Sequence, residues 1–176
     1  MAKIDYVKFA YDPIHLSYLA GIVDGEGCFS IGKMGERHYH RCKSIKYHAQ
    51  LRICNTKIEL MEWIEDKFQA LSEKLRHHKR YIRKDHKEYN RTIYEWIVSG
   101  HRLIDISEQL LPYLVIKKRQ CENIIRFRKT FDKINHYGST KFIEPEKLII
   151  REECYILNRE LNAKTLFKPI QHIDSN

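Results

Sequence analysis

Apolar and polar positions alternate with two distinct periods along this chain, and the switches between them mark its elements. Leu16, Leu19, Ile22 and Val23 recur at helical spacing. Asp12 ahead of them suits an N-cap, and Pro13 suits the first helical position. The helix they predict runs out at Asp24-Gly25-Glu26-Gly27. Residues 28–34 then read as a strand and the polar, basic stretch 35–44 as a hairpin loop. Residues 46–54 alternate: Ala49, Leu51 and Ile53 point one way, His48, Gln50, Arg52 and Cys54 the other. Thr56 and Glu59 have capping-box spacing, and Ile58, Met61, Ile64, Phe68 and Leu71 carry a second helix to about residue 75.

A second hairpin is predicted from strands at 78–84 and 91–99 around a charged turn. Tyr94, Trp96 and Val98 face the core; Arg91, Ile93 and Glu95 face out. A helix over 101–111 stops at Pro112, another spans 115–131, and Gly138 breaks the pattern. Glu144-Pro145-Glu146 opens a last helix to about 161, with Ile149, Ile150, Cys154 and Leu157 packing onto the body. The order is α, ββ, α, ββ, α, α, α. It predicts one α+β domain over 1–176, with a four-stranded antiparallel sheet and helices on one of its faces. The core spans about 12–131, a C-terminal helical extension 132–161, and a polar tail 162–176.

Two details of the first helix bear on function. Gly21 and Gly25 lie four apart on one face, bare positions where a second backbone can approach closely. Glu26 sits at the helix C-terminus, where the macrodipole disfavours a carboxylate unless a cation stands nearby.

Composition narrows the partner. The 176 residues carry a formal charge of +9, which points to an anionic partner, nucleic acid first. The five cysteines form no CxxC and no even framework, so reduced intracellular thiols are expected. His38, His40, Cys42 and Cys54 fit no common zinc spacing. There is no apolar run long enough to span a membrane and no N-terminal apolar leader, so a soluble protein of the bacterial cytoplasm or an organelle interior is expected.

Leu-Ala-Gly-Ile-Val-Asp-Gly-Glu-Gly at 19–27 resembles the signature of the LAGLIDADG homing endonucleases, and Pro112-Tyr113-Leu114-Val115-Ile116-Lys117 is similar to the Pro-Phe-Leu-x-x-Lys segment of the single-motif members. The resemblance covers about 12–131 and implies an αββαββα core with a saddle-shaped sheet. One motif copy implies a homodimer, with Leu16, Ala20, Gly21, Asp24 and Gly25 at the interface. It also implies a site-specific, group I intron-type endonuclease that cuts both DNA strands and leaves short 3′ overhangs. The Glu26 carboxylate and the Gly25 carbonyl would hold Mg²⁺ or Mn²⁺, with Ca²⁺ binding but not supporting cleavage. Lys117 matches an active-site lysine, and Lys57 one of two polar or basic positions at the start of the second helix. The other falls near Met61, which is neither.

The sheet's outer face is the expected reading surface, since a β-ribbon fits the major groove. A strand of this length spans roughly 20–26 Å, or about 6–8 base pairs. Ser30, Gly32 and Met34 are assigned to it, with His48, Gln50, Arg52 and Cys54, then Tyr81 and Arg83, then Arg91, Ile93 and Glu95. Arg37 and Lys46, with the other basic residues of 35–46 and 76–91, suit phosphates. An RNA maturase or a non-catalytic DNA-binding protein of the same fold is the alternative.

Overall fold

The computed structural model describes residues 10–34, 45–71, 76–78, 92–131 and 144–163. Helix α1 (Pro13–Glu26) opens as its sequence dictates: the Asp12 carboxylate accepts the Ile14 N–H at 2.7 Å, and Pro13 occupies the first turn. Its Leu16, Leu19, Ala20 and Val23 are buried. Positions i, i+3, i+4 and i+7 share one helical face, and that face meets the sheet. The opposite face, with Ile14, Tyr18, Gly21 and Gly25, is exposed. Leu16 (4% exposed) and Ala20 (0%) are therefore core residues, which corrects their expected place at a dimer interface.

Strands β1 (Gly27–Met34) and β2 (Lys46–Asn55) pair antiparallel, with Cys28 opposite Arg52, Ser30 opposite Gln50 and Gly32 opposite His48. A Cβ on Gly32 would lie 2.1 Å from the His48 ring, so the glycine makes room for that imidazole. Helix α2 (Ile58–Lys67) follows without the expected capping box: the Asn55 side-chain oxygen accepts the Lys57 N–H at 2.8 Å and organises the turn instead. The helix also ends earlier than its pattern suggests. Phe68 and Leu71 continue the apolar rhythm, but they enter the core from the turn after the helix.

Strand β3 (Arg76–His78) and strand β4 (Ile93–Ser99) complete a four-stranded antiparallel sheet in the order β1-β2-β4-β3. The rest of the expected third strand lies outside the described residues. Gly100, with φ of +65°, turns the chain from β4 into α3 (Gly100–Leu110) through a conformation that other residues adopt at a cost. The sheet's inner face (Phe29, Ile31, Ala49, Leu51, Ile53, Trp96, Val98) is buried together with Leu19, Val23, Met61, Ile64, Phe68, Leu103 and Ile106 of the helical side. Each large apolar side chain withdrawn from water here contributes about 1.5–3 kcal/mol.

Helix α4 (Lys118–Arg128) is shorter than the expected 115–131, because residues 115–117 are tethered elsewhere. Helix α5 (Pro145–Asn162) starts at its proline as expected and covers the free edge of β1. Asn158 (3% exposed) acts there as a substitute strand: its side-chain oxygen accepts the Ile31 N–H at 2.9 Å and its amide donates to the Phe29 carbonyl at 3.1 Å. Asn162, expected to begin the tail, ends this helix and donates to the same carbonyl at 2.8 Å. Cys154 is buried and Ile150 partly so, but Ile149 stays 59% exposed, against expectation. No described helix is long and apolar enough to cross a membrane.

Candidate nucleic-acid interface and catalytic centre

The centre forms where α1 ends. Its last residue, Glu26, is exposed, and its Oε2 accepts a hydrogen bond from the Asn55 amide at 2.5 Å. Lys117, from the turn before α4, reaches the same helix end: its Nζ donates to the Val23 carbonyl at 2.8 Å and the Asp24 carbonyl at 2.9 Å. The Lys117 ammonium thus caps the C-terminal carbonyls of α1 from far along the chain, 91 residues beyond Glu26.

Asp24 completes an exchange of caps. Its two carboxylate oxygens accept the Val115 and Lys117 N–H groups, each at 2.8 Å, at the start of α4, where negative charge is favoured. Burial pushes the Asp24 carboxyl up, but the N–H groups of Val115, Lys117 and Ile116, with the Lys117 charge, outweigh it and hold it below the usual range. For Lys117 burial is the larger influence and lowers its proton affinity, while Asp24 and Cys28 pull the other way. Asp24, expected at a dimer interface, thus has both oxygens engaged inside its own protomer.

Glu26 and Lys117 therefore stand at the same helix end, each bonded to other groups. Lys57 is exposed at the N-cap of α2, but the residue that bonds Glu26 is Asn55. Asn55 escaped the sequence reading because strand alternation counts it with the inward-pointing Leu51 and Ile53. The one available signal was an amide two residues ahead of a helix. Met61 is fully buried, so its side chain belongs to the core.

The outer sheet face carries Ser30, Gly32, Met34, Gln50, Arg52, Cys54 and Ile93 partly exposed, and Lys46 and His48 exposed. Glu95 lies on this face too, but at 7% exposure it is closed off from a groove, contrary to expectation. Arg52 Nε stands 3.1 Å from its Oε1, and the Cys54 thiol donates to the same oxygen at 3.7 Å. Arg37, Tyr81, Arg83 and Arg91 lie outside the described residues.

A hard divalent cation fits this donor set. Among the described residues no three His, Cys, Asp or Glu cluster. One carboxylate beside last-turn carbonyls suits Mg²⁺, which keeps several waters and takes phosphate oxygens, and not zinc, which needs three or four protein ligands. Gly25 is among the last four residues of the helix, whose carbonyls have few intrahelical donors. A Cβ there would meet nothing within 4 Å, so that side of the helix end is open.

Solved endonucleases share this architecture. The homing endonuclease I-CvuI, crystallised with its target DNA in the presence of calcium, superposes with a TM-score of 0.62 at 20% identity, over 88% of this chain and 85% of its own. The archaeal intron-encoded homing endonuclease I-Vdi141I, complexed with DNA, gives 0.61 at 14% identity, over 89% of each chain. I-TnaI, also a homing endonuclease, gives 0.55 at 18%, over 87% of this chain and 95% of that one. No curated protein matches the sequence. The four-stranded α+β fold and the family match that follows define an endonuclease. The LAGLIDADG endonuclease family model matches residues 19–130, well over half the chain, and the protein belongs to that family.

Proposed function

We propose that this chain works as a homodimeric, site-specific homing endonuclease that makes a divalent-metal-dependent double-strand break and leaves short 3′ overhangs. The observation that carries the reading is the end of α1, which holds Glu26 bonded by Asn55 and receives the Lys117 ammonium beside an open, small-residue helix face. A Cβ at Gly21 or Gly25 would meet nothing within 4 Å. The exposed apolar residues Ile14 and Tyr18 flank that face, and Val115 and Ile116 extend it, since Val115 is bonded to Asp24 next to Gly25. A second copy crossing there would bring two Glu26 carboxylates together, one for each DNA strand.

In phosphodiester hydrolysis a water adds to phosphorus and the bond to the leaving alkoxide breaks. Glu26 orients its carboxylate through Asn55, with Gly25 offering a carbonyl beside it. Lys117, anchored on two carbonyls and with lowered proton affinity, holds its ammonium at the helix end, where it orients the attacking water. When bound, Mg²⁺ or Mn²⁺ supplies Lewis-acid stabilisation of the charge on the phosphate. I-CvuI complexes were obtained with Ca and with Mg, the DNA in the Mg complex being uncleaved, so the divalent requirement proposed here rests on the donor set of this chain, with Ca²⁺ expected to permit binding alone.

The test is a cleavage selection on a randomised duplex library in Mg²⁺, with Glu26→Gln alongside. The wild type is expected to cut a near-palindromic site on both strands; the variant, equal in shape but without the charge, should bind that site and leave it whole. Cutting by the variant at the wild-type rate would remove Glu26 from the mechanism. Tight binding of structured RNA with no DNA cleavage by the wild type would favour a maturase.

A further inference from the structure

We propose that Glu95 is a positioning residue that holds Arg52 ready to read one guanine in each half-site. The inference rests on the DNA-binding reading above.

Arg52 sits in the middle strand pair of the sheet, opposite Cys28 on β1 and Ile97 on β4. Glu95 lies two residues from Ile97, diagonal to Arg52 and within reach of a long side chain. The ion pair is one-sided in its exposure: the Arg52 side chain is 39% exposed, the Glu95 side chain 9%. Arg52 Nε is the atom turned inward, 3.1 Å from the Glu95 carboxylate. Nε is one of three guanidinium nitrogens, and the two terminal ones carry four more N–H groups. Those groups form the fork that pairs with guanine O6 and N7 in the major groove.

An arginine free to swing divides its time between bases and phosphates, and phosphate contacts carry no sequence information. Fixing its stem removes rotamer freedom before DNA arrives, so less is lost on binding. The buried carboxylate is too enclosed to accept from a cytosine itself. Its effect on specificity is transmitted through the arginine.

Binding selection from randomised duplexes in Ca²⁺, followed by sequencing, tests this without cleavage. The wild type should enrich guanine at one symmetric position per half-site by roughly tenfold or more. Arg52→Lys keeps the charge but loses the fork, and should erase that preference. Glu95→Gln, and independently Glu95→Asp with its shorter reach, should lower it roughly three- to tenfold at that position alone. Combining Glu95→Gln with Arg52→Lys should add nothing there. Glu95 variants with the wild-type profile, or with all positions weakened in proportion, overturn the proposal while leaving the endonuclease reading intact. A wild type that selects no sequence overturns both.

Discussion

Replacing Asp24 with alanine removes both N–H contacts that join the end of α1 to the start of α4. A carboxylate that caps a helix start contributes about 0.5–2 kcal/mol, and hydrogen bonds to charged groups reach about 1.5–3 kcal/mol each. Asp24 is only partly buried, and burying its charge opposes the gain. A loss of about 2 kcal/mol is therefore expected. For a chain of this size it lowers Tm by about 4–8 °C. Asn in its place keeps one acceptor oxygen and should lose about half as much. The pH dependence fixes the cause. The folded-state carboxyl is held below its ordinary value, so its stabilisation is complete above the ordinary carboxylate range and disappears as pH falls through the lowered value. The gap between wild type and Asp24→Ala should be full at neutral pH and close below about pH 4. Circular dichroism melts between pH 3 and 7 measure it. Equal Tm values at pH 7, or a gap that persists undiminished in acid, would refute the exchange of caps. The same variant should cut DNA poorly, because the backbone that aims Lys117 is no longer tied down.

Two other perturbations probe separate parts of the molecule. Gly21→Leu adds a side chain into space that is empty within the protomer, so folding should persist with some gain in helix stability. Light scattering should show a monomer, and double-strand breaks should vanish; a dimer that still cuts would place the interface elsewhere. Asn158→Ala leaves the buried Ile31 N–H without its partner, at a cost of about 1–3 kcal/mol, or roughly 2–12 °C in Tm. Hydrogen exchange should quicken at Ile31; unchanged protection there would mean that α5 does not guard the sheet edge.

Local patterns carried much of the architecture. The alternation of residues 46–54 predicted which side chains of β2 reach the core, because strand geometry leaves only two faces. Asp12-Pro13 and Glu144-Pro145 marked where α1 and α5 begin, because capping and proline geometry act within a few residues. Periodicity failed where packing took over. Phe68 and Leu71 keep helical spacing, yet the helix stops at Lys67 and they reach the core from a turn. Leu16 and Ala20 fall on the core side of α1, a choice between helical faces that only the docked sheet makes.

The site divides along the same line. Residue order alone determined that a lone carboxylate ends a glycine-marked helix, that its charge needs a cation, and that a basic sheet face with polar outward positions follows. Which groups answer those needs was decided by the folded chain. Lys117 crosses to the carbonyls of Val23 and Asp24, Asn55 at the end of β2 gives its side-chain amide to Glu26, and Glu95 sinks beneath Arg52. Helix and strand periods are local and legible in sequence; a hydrogen bond between residues dozens apart depends on how packing sets whole elements side by side.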